Sequence, residues 1–213
     1  MAENKIIRDK LKEKSTKEKI FESAIDLFAI KGFDGTSMRE IAEAVGIKKA
    51  SLYSHYKSKN EIMDNIFEYF KKELMKMRPP EARNLEKIDK ITPEVFRQRA
   101  HLTLNIFKNP LMEKIFRIIS SEQFRDKRAK IIILECLIHE PYSFSRAVLE
   151  IMVKKDIINK IDPNIKAMEF QYSIYTLFME YLLLKSDNSD TNEIEELIEK
   201  HLDYFINSLE KKE

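Results

Sequence analysis

The sequence contains little of what β-sheet, disulfide-linked or membrane-spanning proteins need. Its 213 residues include 3 Gly and 6 Pro, and so few turn residues favour long helices with short connections. The single cysteine, Cys136, cannot form a disulfide within the chain, which predicts a reducing, cytoplasmic environment. The first residues are too charged for a secretory signal. No apolar run reaches the ~20 residues of a membrane span, so we expect no membrane partner.

The charges of the chain are nearly balanced. Lysine and arginine number 38 and aspartate and glutamate 36, which gives a net charge of +2 at pH 7. This balance excludes a uniformly basic nucleic-acid coat but permits a local basic patch. With 43% hydrophobic and 35% charged residues, the composition is typical of a soluble globular protein.

Helix-capping patterns divide the sequence into segments. In a capping box, a serine and a glutamate three positions later satisfy free amides at the start of a helix. Three such boxes occur, at 15–18, 37–40 and 58–61, and Asp162-Pro163 is one of several later starts with proline in the first turn. The chain is therefore predicted to be all-α, with helices over 17–31, 37–45, 48–56, 59–77, 93–108, 110–124, 127–139, 142–159, 163–185 and 191–210.

Two of the short helices have the arrangement of a helix-turn-helix. The predicted helices 37–45 and 48–56 are joined by Val45-Gly46-Ile47, and the second helix of such a motif can lie in the major groove of DNA. No acidic residue lies between positions 44 and 60, whereas four lysines do. This local positive charge suits phosphate binding. The four are Lys48, Lys49, Lys57 and Lys59.

Residues 32–62 resemble the N-terminal domain of the tetracycline-repressor (TetR) family of bacterial regulators. The matching positions are Gly32-Phe33, Thr36, Ile41-Ala42, Ala44-Val45-Gly46, Leu52-Tyr53, Tyr56 and Lys59. The resemblance implies a three-helix, helix-turn-helix DNA-binding domain followed by a helical ligand-binding and dimerisation domain. The corresponding divisions are a flexible basic arm (1–14), the helix-turn-helix domain (15–58), a connecting helix (59–77) and the effector-binding and dimerisation domain (78–213).

Ten residues are candidates for DNA contact. Hydroxyls and free amides at the start of the second helix can hold a phosphate, and the first turn of the third helix can meet base edges. The resemblance implies backbone contacts from Thr36, Tyr53, Tyr56 and Lys59. Tyr56 could instead have only a packing role. His55 could instead be a neutral surface residue without a DNA contact. The candidates are Thr36, Ser37, Lys48, Lys49, Ala50, Ser51, Tyr53, His55, Tyr56 and Lys59.

The predicted helix 163–185 contains a stretch, 170–184, that is apolar nearly all round. Such a helix must be buried on more than one side, and pairing it and the last helix with their copies would form a four-helix dimer interface. The alternative is an internal helix without a dimer role. The predicted interface residues are Phe178, Tyr181, Leu182, Leu183, Ile198, Leu202 and Phe205.

Aromatic residues of the C-terminal part are candidates for lining a small-molecule pocket. Aromatic walls suit an apolar effector, although the same residues at helical spacing can form plain core. The predicted lining residues are Phe96, Phe107, Phe116, Phe144, Tyr172 and Tyr175.

These patterns predict a DNA-binding transcriptional repressor. We expect it to bind a palindromic, double-stranded operator as a homodimer and to be released by a small apolar effector. Control by a protein partner, or a structural role on the chromosome, is an alternative. Cys136 and His139 could indicate an enzyme, but no further cysteine or nearby histidine completes a metal site and no catalytic or nucleotide-binding motif is present. We therefore expect no enzyme activity, no metal and no cofactor.

Overall fold

The computed structural model describes residues 14–76 and 91–211, and these residues form helices and connections without a strand. The all-α prediction is confirmed. The predicted arm lies outside the described residues except for Lys14, whose ammonium pairs with Glu22 at 2.6 Å. The helices are α1 (Thr16–Lys31), α2 (Met38–Val45), α3 (Lys49–His55), α4 (Lys59–Lys76), α5 (Glu94–Lys108), α6 (Pro110–Glu122), α7 (Lys127–Ile131), a π-helix (Ile132–His139), α8 (Glu140–Lys154), α9 (Pro163–Ser186) and α10 (Asn192–Leu209).

The chain divides into two compact units between Glu68 and Tyr69, inside α4. The first unit contains α1 to α3 and the start of α4, and its core is formed by side chains that the helical spacing had placed inward. The second unit contains the remaining helices. The core of the first unit includes Ile20, Ala24, Phe28, Ile41, Leu52, Ile62 and Ile66.

The start of α2 is fixed by the predicted capping box. The amide of Ser37 donates to the Glu40 carboxylate at 2.8 Å, and the amide of Glu40 donates to the Ser37 hydroxyl oxygen at 3.2 Å. Lys31, in the last turn of α1, donates to the other Glu40 oxygen at 2.8 Å. The hydrogen bond from Lys31, followed by those from Ser37, lowers the pKa of Glu40 to about 2. The box thus joins α1 and α2 as well as capping α2.

The turn between α2 and α3 depends on Gly46. This residue has φ 75° and ψ 30°, a left-handed conformation that glycine adopts without a Cβ clash. The amide of Gly46 bonds to the Glu43 carbonyl at 3.1 Å and that of Ile47 to the Ala42 carbonyl at 3.0 Å. These bonds close the end of α2 and redirect the chain into α3.

The second unit differs from the prediction between residues 127 and 159. We predicted a break before Pro141, but Glu140 has φ −66° and ψ −48°, and the chain stays helical through α7, the π-helix and α8. Proline has no amide to donate, and here it lies in the first turn of α8, directly after the wider π turns. Helix α8 also ends earlier than predicted. Asp156 takes φ 56°, and the amide of Ile157 bonds back to the Met152 carbonyl at 2.8 Å.

Three aromatic rings bring α5, α9 and α10 together in the second unit. The ring of Phe170 lies with its centroid 5.0 Å from that of Phe96 and 4.3 Å from that of Phe205. The first pair is edge-to-face and the second is tilted, and such aromatic pairs add to the free energy gained by burial. No helix in the described ranges is long and apolar enough to cross a membrane.

The capping box gives a prediction for the pH dependence of stability. Glu40→Gln keeps a side chain that can cap α2 but removes the charge that Lys31 binds. A carboxyl with a lowered pKa in the fold contributes stability above its unfolded pKa, and the contribution is lost as the pH falls through the folded pKa. We therefore expect the variant to unfold at lower urea concentration than the wild type above pH 4.5, and the difference to vanish towards a pH of about 2. A difference that does not change with pH would contradict this.

Candidate nucleic-acid interface and interior cavity

Helix α3 is held by one face and presents the other to solvent. Leu52 is fully buried, whereas Lys48, Lys49 and Ala50 at its start are exposed. One turn later Tyr53 is exposed as well, and the ammonium of Lys49 lies 5.8 Å from the centroid of its ring, within the range of a cation–π interaction. The predicted first turn and Tyr53 therefore share one accessible surface.

The charge on this surface is positive. Lys48, Lys49 and Lys57 are exposed. Arg39 of α2 is also exposed, but its guanidinium is paired with the Glu43 carboxylate at 2.7 Å. A local excess of lysine ammonium groups suits the phosphates of DNA.

The remaining α3 candidates are less exposed, and one residue of this helix was missed. Ser51 and His55 are half-buried, whereas Ser54 is exposed. The hydroxyl of Ser54 donates to the Ser51 carbonyl at 2.7 Å, so its oxygen remains available as an acceptor. The signal that could have found it is helical spacing, because Ser54 lies four residues after Ala50.

Two predicted phosphate contacts are corrected by burial. Thr36 is 1% exposed, and its hydroxyl donates to the Gly32 carbonyl at 3.0 Å. Tyr56 is 2% exposed, and burial, followed by the charge of Glu61, raises its pKa. The side chains of Thr36 and Tyr56 therefore stabilise the domain, and Tyr56 has the packing role that was the alternative. Ser37 is exposed, and its hydroxyl donates to Glu40 at 2.8 Å in the capping box, so its contact with a phosphate stays a prediction.

Lys59 connects α4 to the loop before α2. Its ammonium donates to the carbonyls of Phe33 at 2.6 Å and Thr36 at 2.8 Å, and it lies 4.2 Å from the centroid of the Phe33 ring. We predicted that this ammonium faces a phosphate, but two of its three N–H donors are taken up by the loop. The main role of Lys59 is therefore to position α2. One N–H group of its ammonium remains available to another acceptor.

This geometry agrees with one known protein family. Residues 20–66 match the family model described as bacterial regulatory proteins, tetR family. These residues therefore form a tetR-family domain. The predicted family is thus confirmed, as is the architecture of a helix-turn-helix domain followed by a helical domain.

Two relatives with similar sequences match a short part of the chain. IcaR of Staphylococcus epidermidis, a negative transcriptional regulator of the biofilm operon icaADBC, is 52% identical over 58 residues, which are 25% of this chain and 31% of IcaR. IcaR of Staphylococcus aureus strain Newman is 54% identical over 48 residues, 22% of this chain and 26% of IcaR. The matched stretch is less than a third of either relative.

Solved structures share the fold over most of the chain. A tetR-family transcriptional regulator from Mesorhizobium loti has a TM-score of 0.63 at 17% identity, covering 92% of this chain and 97% of that one. AibR, in complex with isovaleryl coenzyme A and operator DNA, has a TM-score of 0.57 at 20% identity, covering 90% and 98%. At such low identity the likeness concerns the fold.

The second unit contains a cavity of about 100 Å³ between α4, α5, α9 and the π-helix. Phe96, Phe107, Phe116 and Tyr175 line it, as predicted. The other two predicted residues do not. Phe144 lies beside the cavity under the guanidinium of Arg99, 4.1 Å from its ring centroid, and Tyr172 is exposed on the outer side of α9.

Polar lining residues were missed by the search for aromatic positions. Arg99 donates to Glu140 at 2.9 Å, and both line the cavity. Gln171 is buried beside them. Burial raises the pKa of Tyr175, so its phenol stays protonated. On α5, Arg99 lies three residues after Phe96 and three before Leu102. A charge between apolar residues at this helical spacing is the signal that could have pointed to Arg99.

The residues considered for an enzyme do not form a common site. Cys136 lines the cavity, whereas His139 is exposed and lies 3.2 Å from Glu135 on the outside of the π-helix. In the part of the chain that the structure describes, no group of three or more metal-ligating side chains occurs.

Most predicted dimer residues are buried within a single chain. The inward stripe of α10 packs on α9 of the same molecule, and Phe178 lines the cavity, so these side chains are not available to a partner. Leu183 alone of the seven is exposed. The buried residues are Tyr181, Leu182, Ile198, Leu202 and Phe205.

A different surface of the same two helices is exposed. We call it the α9–α10 face and define it by Tyr172, Thr176, Leu197, His201 and Tyr204. The ring of His201 stacks on that of Phe170 with centroids 5.9 Å apart, and burial lowers the pKa of His201. A neutral imidazole among tyrosine and leucine side chains makes this face largely apolar.

Lys59→Ala tests the positioning role of this residue. Removing two hydrogen bonds from a charged donor should reduce the local stability of the loop and of α2 by about 2 kcal/mol. Hydrogen exchange of peptides covering 33–45 measures this, and we expect exchange to be roughly tenfold faster or more. Lys57→Ala is the matched control, because the Lys57 side chain is exposed. Unchanged protection in Lys59→Ala would contradict the positioning role.

Proposed function

We propose that this chain is a tetR-family transcriptional repressor that binds a palindromic operator as a homodimer and is released by a small ligand in the second unit. The observation that carries the proposal is α3, whose exposed face combines Lys48, Lys49, Ala50 and Tyr53 above the buried Leu52. A recognition helix requires this separation of an anchored and an accessible face. The negative regulation named for IcaR supports repression, since the two chains are 52% identical over 58 residues.

The roles within the interface follow from position. The first turn of a recognition helix approaches base edges, which gives Lys49 and Ala50 a role in reading sequence. A lysine can donate to guanine in the major groove, and a small apolar side chain can contact a thymine methyl. Lys57, beyond the end of α3, is placed for a phosphate.

The α9–α10 face supports dimerisation. A palindromic operator requires two recognition helices related by a twofold axis. An exposed face with tyrosine and leucine at helical spacing on two neighbouring helices is the kind of surface that a second copy covers. The central residues in this proposal are Tyr172, Leu197 and Tyr204.

The cavity supports control by a ligand, but of smaller size than an ordinary apolar effector. Pockets for drug-sized ligands usually have ~300 Å³ or more, whereas this cavity has about 100 Å³. Leu74 of α4 lines it, and the same helix begins with Lys59, which holds the loop before α2. We propose that a ligand acts on DNA binding by favouring one position of α4 over another.

Lys49→Ala tests the assignment of the groove. Loss of a base contact should weaken binding to the operator by about 1–3 kcal/mol and relax the preference at one or two base pairs in each half-site. In contrast, Lys57→Ala should weaken operator and scrambled duplex about equally and lower the salt slope by roughly one unit. Both variants are titrated with both duplexes over a series of salt concentrations. If Lys57→Ala changed the sequence preference and Lys49→Ala did not, the proposed placement of α3 would be wrong.

Tyr204→Asp tests the dimer surface. Tyr204 is 77% exposed in the single chain, so the substitution should not disturb the core, but it would bury a charge in the proposed interface. We expect a monomer in analytical ultracentrifugation at micromolar concentration and a loss of operator binding. Phe124→Asp is the control, because Phe124 is also exposed, at 93%, and lies outside the α9–α10 face. A dimeric Tyr204→Asp protein would rule out this face.

A further inference from the structure

The side chain of Gln171 lines the cavity with an amide that is not used by the protein. The residue is 8% exposed, and its amide makes no hydrogen bond to any residue within 14–76 or 91–211. A buried polar group that faces a cavity and lacks a protein partner is what a ligand with a polar head would satisfy.

Arg99 is the group of the cavity that suits an anionic head. Two basic side chains, Lys71 and Arg99, and one acidic side chain, Glu140, line the cavity. Arg99 is held in place by Glu140 at 2.9 Å and by the ring of Phe144 at 4.1 Å. A guanidinium fixed in this way is a rigid partner for a carboxylate.

Arg99 and Gln171 lie near the same end of the cavity. Phe96 of α5 is next to Phe170 of α9, with 5.0 Å between the ring centroids, and eleven residues later the Phe107 carbonyl accepts from Lys185 at 2.5 Å. The two helices are therefore parallel. Arg99 lies one turn after Phe96 and Gln171 directly after Phe170, so both are near the first end, whereas the second end contains Phe107, Phe116 and Leu182.

The wall on the third side is the π-helix. Cys136 and Leu137 of this segment line the cavity, followed by Glu140 and Pro141 at the start of α8. π-helical turns are rare and are frequently found at functional sites. Here the segment brings the Glu140 carboxylate to Arg99.

We propose that the cavity binds a small monocarboxylate with a short apolar chain. Its carboxylate accepts hydrogen bonds from the Gln171 amide and shares Arg99 with Glu140, and its chain extends between Phe107 and Phe116. The cavity of about 100 Å³ has room for roughly seven to ten water-sized groups. As the identity of the effector this rests on the proposed function, but binding itself can be measured without DNA.

Calorimetric titration of the full-length protein with butanoate, hexanoate and octanoate tests the ligand class. Hexylamine and hexan-1-ol have the tail of hexanoate with a different head. We expect at least one carboxylate to bind with a Kd below about 1 mM, and hexanoate to bind at least roughly tenfold more tightly than the amine or the alcohol. Binding of the amine or alcohol as tightly as hexanoate, or no binding of any carboxylate, would overturn the proposal.

Gln171→Leu tests the site. Because the substitution removes a buried amide without a partner, the Tm of the ligand-free variant should equal or exceed that of the wild type. Hexanoate should bind roughly tenfold more weakly or worse, while hexan-1-ol binding should not weaken. The control is Gln123→Leu, since Gln123 lies outside the cavity and bonds to the Ser120 carbonyl at 2.8 Å. Unchanged hexanoate affinity in Gln171→Leu would place the carboxylate elsewhere and overturn the proposal.

The two levels of the proposal fail in different ways. If hexanoate binds and Gln171→Leu weakens it, but operator binding by the wild type does not respond to hexanoate, the ligand class holds and the effector role is wrong. If the wild-type protein binds an operator but no carboxylate, the repressor function holds and the ligand class is wrong.

Discussion

The burial of Leu52 is the interaction on which the DNA-binding surface depends. Helix α3 spans Lys49–His55 and has no side-chain cap at Lys48, and an isolated helix of this length is not stable in water. Its position is therefore set by Leu52, with the buried Tyr56 directly after the helix. Helix α2 packs on α3, so the capping box and Lys59, which fix α2 and the loop before it, contribute to where Lys49 and Tyr53 point.

The interior of the second unit, in contrast, contains polar side chains beside its aromatic core. The aromatic cluster of Phe96, Phe170 and Phe205 packs closely, but beside it lies a cavity with a half-buried ion pair and the amide of Gln171. A domain that only had to dimerise could have filled this space with leucine. Free energy given up in a core usually marks a place where function requires polar groups.

The sequence allowed prediction of the features that depend on local interactions. Capping boxes and Gly46 involve residues a few positions apart, so the helix starts and the helix-turn-helix could be located. Exposure is decided by tertiary packing, which is why Thr36 and Tyr56 were taken for phosphate contacts and Ile198 and Leu202 for dimer contacts. Helical spacing predicts that a residue is buried, but not whether its own chain or a second one covers it. The π-helix carries no comparable local signal, and the polar end of the cavity was missed with it.

The most direct measurement is selection of bound duplexes from a library of random DNA sequences by the full-length protein. If α3 enters the major groove in a symmetric dimer, the recovered sequences should share an inverted repeat whose half-site centres are separated by about 10 base pairs or a multiple of this distance. Recovery of duplexes without a common sequence, or with a single unrepeated site, would contradict DNA recognition by paired α3 helices.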